Sequence, residues 1–281
     1  MELQLEEIHK QQRQSWNRFS PDWNKWDHLS TDFLKPMNDE IIRLLNLKET
    51  DTMLDVASGT DEPGLTSAAK LKGGRVIIAN HSEEALEKVR ENAIRRGINN
   101  IDTYVCDVSA LPFANNTFDA ISCRLGFMFF PYILSAAREM VRVLKPGGKM
   151  VASVWNIPEK NFWAKAIIET INKNMDLPAP AYGAPGMFRC AKDGYMSSLF
   201  HHTGLKNISV REVEGNMHCK TPDAYWTLTQ EMGTPIVAAL NTAGGAMKEK
   251  IKREVDQILS QKYADADMVI DSSALVIYGE K

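Results

Sequence analysis

Cysteine is scarce and scattered. The four in the chain, Cys106, Cys123, Cys190 and Cys219, form no C-x-x-C pair, which argues against both a zinc site and a disulfide framework. Cys106 and Cys123 fall at the ends of predicted buried strands, where a free thiol behaves as a small apolar residue. Long apolar runs are missing too: nothing approaches the length of a membrane span, and Met1-Glu2-Leu3-Gln4 opens a polar segment unlike a signal peptide. The expectation is a cytoplasmic protein with no membrane partner. Nor is there a surplus of charge. A formal net charge of -3 gives no electrostatic reason to expect nucleic acid. Internal repeats and low-complexity tracts are also absent. The 281 residues that remain to be explained are 44% hydrophobic, enough for one large domain or a domain carrying an inserted cap.

The stretch that organises the chain is Thr52 to Gly64. Met53, Leu54 and Val56 form a short apolar run bounded by Asp51 and Ser58-Gly59, the pattern of a buried parallel strand that breaks into a small-residue turn. Glu62-Pro63 reads as the first turn of a helix. Strand, tight turn and helix open a doubly wound α/β domain, and such domains bind ligands at the carboxyl ends of their strands.

Before this stretch, residues 5 to 20 are polar and helical in pattern and run into Trp16, Phe19, Trp23 and Trp26. These aromatics suit a helix docked on the core and equally a lid over a pocket. An amphipathic helix is predicted over 36–46. After the turn, a helix over 62–71 stops at Lys72-Gly73-Gly74, and a strand follows at 75–80. The next helix starts at an N-cap, Ser82, and closes at Gly97. Further strands are expected at 101–106, 118–123 and 149–155, with a helix over 132–144. This alternation argues for a parallel sheet. Past Trp155 the rhythm fails: residues 159–204 look helical, with a Pro/Gly-rich connector at 177–186. A strand resumes at 206–213, helical stretches follow at 222–231, 235–241 and 247–263, and a last strand is expected at 273–278. The domain reading is an aromatic lid over 1–35, an α/β core of 36–156 and 205–281, and a helical cap insertion at 157–204. The cap helices fit a lid or a homodimer contact.

In this order the segments resemble the class I S-adenosylmethionine-dependent methyltransferases, especially the small-molecule branch of ubiquinone and menaquinone biosynthesis. Three blocks carry the resemblance: Leu54 to Thr60; Cys106-Asp107-Val108-Ser109-Ala110-Leu111-Pro112-Phe113 with Asn116-Thr117-Phe118-Asp119; and Glu139 to Gly148. It implies a Rossmann-like, mostly parallel seven-stranded sheet with helical cap insertions. It also implies a transferase that uses S-adenosylmethionine on a small, fairly apolar molecule.

Carried over residue by residue, the resemblance places the cofactor at Asp55, Ala57, Ser58, Gly59, Asp61, Asn80, His81, Asp107, Val108, Arg124 and Gly126. Small residues in the first turn let the main chain approach, and N–H groups at the helix start receive a carboxylate. Asp107 matches the acceptor for the adenine amino group, and the Val108 amide a donor to the ring. Substrate contacts are expected from Trp16, Trp23, Trp26, Phe127, Phe188, Arg189 and Tyr195, with Arg189 suited to an anionic group. No metal ligands and no acid/base pair stand out. His9, His28, His201 and His202 read as surface or structural histidines first and as bases second.

Two residues depart from the family pattern. Asp61 stands where a third glycine is usual, and its side chain is expected to cost about 1–2 kcal/mol in backbone strain. Asn80 stands where an acid usually holds both ribose hydroxyls, a change worth roughly 1–3 kcal/mol of affinity. They keep two alternatives open. One is an enzyme of this fold acting on another small ligand, such as a methylated or halogenated compound with a different one-carbon carrier. The other is a non-catalytic binding module.

Overall fold

In the computed structural model, residues 27–59, 61–177, 183–232, 234–263 and 268–281 are described. The expected helix over 5–20 and the tryptophans Trp16, Trp23 and Trp26 lie outside them, as does His9.

Buried apolar runs build the centre of a seven-stranded sheet with the order β3-β2-β1-β4-β5-β7-β6. Its strands are β1 (Thr52–Val56), β2 (Arg75–Asn80), β3 (Ile101–Val105), β4 (Phe118–Arg124), β5 (Leu144–Trp155), β6 (Lys206–Cys219) and β7 (Met268–Glu280). The first five run parallel, with Leu54 opposite both Ile77 and Ile121. Only β7 runs antiparallel to its neighbours β5 and β6. The chain reverses between β1 and β4, where the strand order switches direction, and that switch point is where open α/β sheets place their ligands.

Helices α1 (Asp27–Leu45), α2 (Gly64–Lys70), α3 (Glu83–Arg95) and α4 (Ile133–Val143) accompany the parallel half. The Ser82 hydroxyl accepts from the Ala85 amide at 3.2 Å, capping α3 as the sequence predicts. α1 is longer than expected. Pro36 marks a boundary by its restriction on the preceding residue, yet the helix runs through it. Phe33 anchors the added turns, stacking on Trp155 at 5.6 Å and meeting Trp163 edge-on at 5.6 Å.

α2 begins at Gly64, not at Glu62-Pro63, which precede it across a cis peptide bond. The glycine is required by space. A Cβ there would lie 2.8 Å from Asp55 Oδ2 and 3.1 Å from the Ile78 side chain, so the helix start sits directly on β1 and β2.

Late in the chain, α5 (Phe162–Asn174) and α6 (Tyr195–His202) separate β5 from β6, and α7 (Pro222–Met232), α8 (Thr234–Asn241) and α9 (Gly245–Lys262) separate β6 from β7. The two groups pack together: Tyr225 Oη donates to the Trp163 carbonyl at 2.5 Å, and Lys173 pairs with Glu254 at 3.0 Å. Among the described residues, no helix is long and apolar enough to cross a membrane.

Candidate cofactor site

At the carboxyl edge of the sheet β1 ends in a turn bent by two left-handed residues, Ala57 at φ 57° and Gly59 at φ 68°. Ala57 carries a Cβ in a region that costs L-residues roughly 1–2 kcal/mol. The neighbouring turn after β4 contains Leu125, also left-handed at φ 58°, and then Gly126. A Cβ on Gly126 would meet Cys123 Sγ at 2.7 Å, the Phe130 ring at 2.9 Å and the Ala57 Cβ at 3.0 Å. The two turns are therefore in contact across the switch point.

Below the turns is a charged cluster. Asp55 is fully buried, accepts from the Ser122 hydroxyl, and leaves Oδ2 without a hydrogen-bond partner. Burial pushes its carboxyl up to about 7. Arg124, at the end of β4, is partly buried, and its Nη1 donates to Asn38 Oδ1 from α1 at 3.1 Å. Burial lowers its pKa, while Asp61, Asp55 and Glu62 pull it back up. An arginine remains charged regardless, so this is a desolvated cation beside three acids.

Asp61 differs from the expectation. It does not adopt positive φ; among the described residues of this turn the left-handed ones are Ala57 and Gly59. No left-handed strain is therefore stored at Asp61 itself. Its side chain is buried and accepts from Arg96 Nη2 at 2.9 Å, while Arg96 Nη1 donates to Glu62 at 2.6 Å. Nothing in the sequence pointed to Arg96 or Glu62 as partners, since the pairing spans more than thirty residues. Asn38 and Ser122 were likewise missed.

Asn80 ends β2 opposite Val105 of β3, and its backbone carbonyl accepts from the Cys106 amide at 3.0 Å. Asn80 and Asp107 therefore stand side by side at the same sheet edge. The Asn80 side-chain oxygen accepts from the Ser82 amide at 3.0 Å, and Asp107 Oδ1 from the Ser109 amide at 2.8 Å. Asn80 thus spends its single acceptor oxygen locally, whereas Asp107 keeps a second one. His81 and Val108 flank these two, both partly buried.

The residues expected to touch substrate divide. Phe127 is fully buried, 5.4 Å from the Phe130 ring and 6.1 Å from that of Phe200, so it fills the core beneath the site and walls no open pocket. Arg189 reaches the site, donating from Nη1 to the Phe130 carbonyl at 2.5 Å with Nε buried and unbonded. Phe188 and Tyr195 are partly buried beside it in the chain. His201 and His202 are exposed in the last turn of α6, which leads into the start of β6 and so to the opposite edge of the sheet; the side chain of His28 is not among those described. Burial raises the thiols of Cys106 and Cys219 to about 11 and Cys190 to about 12, which keeps them protonated and poorly nucleophilic. Among the described residues no cluster of His, Cys, Asp and Glu is arranged to hold a metal.

Residues 54–152 match the family described as the methyltransferase domain. Among curated proteins, the demethylmenaquinone methyltransferase of Bacillus subtilis is 28% identical over 199 residues, 65% of this chain and 83% of that one. The ubiquinone/menaquinone biosynthesis C-methyltransferase UbiE of Pseudomonas entomophila is 31% identical over 128 residues, 44% of this chain and half of that one. The crystal structure of the YcgJ protein from Bacillus subtilis shares the fold at a TM-score of 0.54 and 16% identity, over 87% of this chain and 97% of that one.

The residues present fit S-adenosylmethionine, the cofactor that the resemblance implies. Its amino-acid end is a zwitterion next to a sulfonium, and the touching turns above Arg124 offer one cation and a surplus of carboxylate to that charge pattern. Ser58 Oγ, buried and unbonded in the first turn, adds a donor. The Asn80 amide and Asp107 sit one and two strands away from β1, on the side an adenosine would occupy.

Proposed function

We propose that this protein moves the methyl group of S-adenosylmethionine to a small, fairly apolar acceptor bound beside the turns after β1 and β4. The carrying observation is Arg124, a partly buried guanidinium at the switch point on which the charges of Asp61, Asp55 and Glu62 act. In this reading Arg124 takes the cofactor's carboxylate, the main chain of Ala57, Ser58 and Gly59 lies along its amino-acid end, and Gly126 leaves room for the sulfur. Asp107 accepts from the adenine amino group, the Val108 amide donates to the ring, and Asn80 and His81 border the ribose.

On the acceptor side stand Phe188, Arg189 and Tyr195, with the partly buried rings of Phe129 and Phe130. Residues 157–204 act as the cap. The names of the quinone-pathway relatives support an apolar ring as acceptor. Methyl transfer to a good nucleophile needs chiefly an aligned approach to the sulfonium carbon, so a site without an acid/base pair is sufficient.

The experiment is a transfer assay with methyl-tritiated S-adenosylmethionine and a panel of hydroquinones, phenols and enols. Label that partitions into an organic phase with one acceptor class is the expected result. Label that moves only into charged, water-retained products contradicts the apolar assignment.

A further inference from the structure

Arg189 is a partly buried cation that no acid balances. Its Nη1 donates to the Phe130 carbonyl at 2.5 Å, its Nε is buried without a partner, and among the described residues no carboxylate pairs with it. Arg90, Arg96 and Arg142, by contrast, are each matched to an acid. The neighbouring thiol does not supply the missing charge. Burial pushes Cys190 up to about 12 even though the Arg189 charge pulls it down, so it stays protonated. A desolvated guanidinium without a counter-ion is costly, and an incoming anion would relieve that cost.

The segment that carries Arg189 is tied to the turn after β4. The Gly186 amide donates to the Met128 carbonyl at 3.0 Å, and the Arg189 amide to the Gly186 carbonyl at 3.0 Å. The Phe130 ring, in turn, reaches the cofactor turns: a Cβ on Gly126 would meet its tip at 2.9 Å and the Ala57 Cβ at 3.0 Å. Arg189 therefore hangs from a residue that borders the switch point, among the partly buried rings of Phe129, Phe130 and Phe188. A single cation beside aromatic rings suits a single negative charge spread over an apolar ring. It suits a phosphate less, since that group brings up to two charges and three strong acceptor oxygens.

We infer that Arg189 binds the ionised oxygen of the acceptor, so that the acceptor is a phenol or enol taken up as its anion. The inference rests on the methyl-transfer reading above and narrows its substrate class. The acceptor's proton goes to solvent as it binds, which removes the need for a protein base. The anion's electron pair then forms the bond to the methyl carbon, through oxygen or a conjugated carbon, while the carbon–sulfur bond breaks and its pair stays on sulfur. In a phenol attacked through carbon, the ring proton then passes to the oxygen. Anion and sulfonium neutralise each other, leaving an uncharged product and a thioether.

The probe is 4-nitrophenol, which is yellow only as its anion and so reports the charge of the bound ring. It is added to enzyme saturated with S-adenosylhomocysteine, at a pH equal to its own pKa in water. The phenolate band is expected to rise on wild type and on Arg189→Lys, and to stay unchanged on Arg189→Met. In turnover with an acceptor from the phenol panel, Arg189→Met should lower kcat/KM by about tenfold or more while S-adenosylhomocysteine affinity stays within about twofold. No rise on wild type, an equal rise on Arg189→Met, or undiminished turnover in that variant overturns the inference. Should Arg189→Met not fold, Arg189→Gln serves as the neutral variant, and the wild-type band by itself still decides whether the ring binds as an anion. A band that rises as expected on a protein that methylates no member of the panel would instead remove the methyl-transfer reading, and leave Arg189 as an anion site without it.

Discussion

Ala57 and Gly126 meet across the carboxyl edge of the sheet, so close that a Cβ on the glycine would lie 3.0 Å from the alanine's own. Gly126 has an ordinary φ of -83°; space alone demands glycine there. Gly126→Ala must displace Cys123 Sγ and the Phe130 ring as well as the Ala57 turn. Overpacking of this kind costs about 1–3 kcal/mol. Urea unfolding is expected to show that loss, together with weaker cofactor binding. Unchanged stability would mean the two turns are not in contact.

Ala57→Gly should act in the opposite direction. The left-handed alanine costs roughly 1–2 kcal/mol, while a glycine's freer unfolded chain takes back about 0.4–1 kcal/mol. The net expectation is a gain of up to about 1.5 kcal/mol, read from the urea midpoint at constant m-value. A loss of stability would show that the alanine methyl contributes packing beyond the strain it carries.

Asp55 makes stability depend on pH. Its folded carboxyl is raised to about 7 by burial, above an unfolded value near 3.9. Between those values the native state holds more protons than the unfolded one, so this contribution is complete below about pH 4 and is lost as pH rises through 7. The slope attributable to one such group reaches about 1.4 kcal/mol per pH unit. Relative to Asp55→Asn, which cannot ionise, wild type should lose stability from pH 5 to pH 8. A difference between the two that stays flat over that range would place the ionised carboxylate in a better-paired environment than the fold provides.

Much of the site was legible before the fold was known, for a physical reason. Strands buried on both faces read as short apolar runs, so β1, β2 and β4 and the turn after β1 could be placed from residues such as Leu54, Ile78 and Ile121. The distal half of β6 could not. Glu214, Gly215, Asn216 and His218 lie on an edge strand with much of its surface exposed, and polar edge strands lack the apolar signal. α1 was cut short at Pro36, because proline's usual meaning was overridden by the packing of Phe33 on Trp155 and Trp163. Asp61 was assigned a strain it does not carry. The family's glycine pattern indicates where small residues suit the ligand, but only the structure shows which of them take the left-handed conformation. Arg96 escaped notice since its pairing with Asp61 depends on how α2 and α3 lie against each other, and no local pattern records that.

Asn80→Asp is expected to tighten the cofactor. The Asn80 oxygen is already engaged by the Ser82 amide, so only its amide NH2 is left for a ribose diol. An aspartate would keep that bond through one oxygen and offer the other to the ribose hydroxyls. Charge-assisted hydrogen bonds are worth roughly 1–3 kcal/mol, which corresponds to a gain of about five- to a hundredfold. Calorimetry on the single variant gives the number, and an unchanged affinity would show that the ribose does not reach the end of β2.

The placement of the cofactor's charged end at Arg124 is tested most directly by titrating S-adenosylhomocysteine into wild type and Arg124→Met. The account predicts micromolar binding to wild type and a loss of at least tenfold in the variant. Equal affinity for both proteins, or no heat from wild type at millimolar ligand, would contradict it.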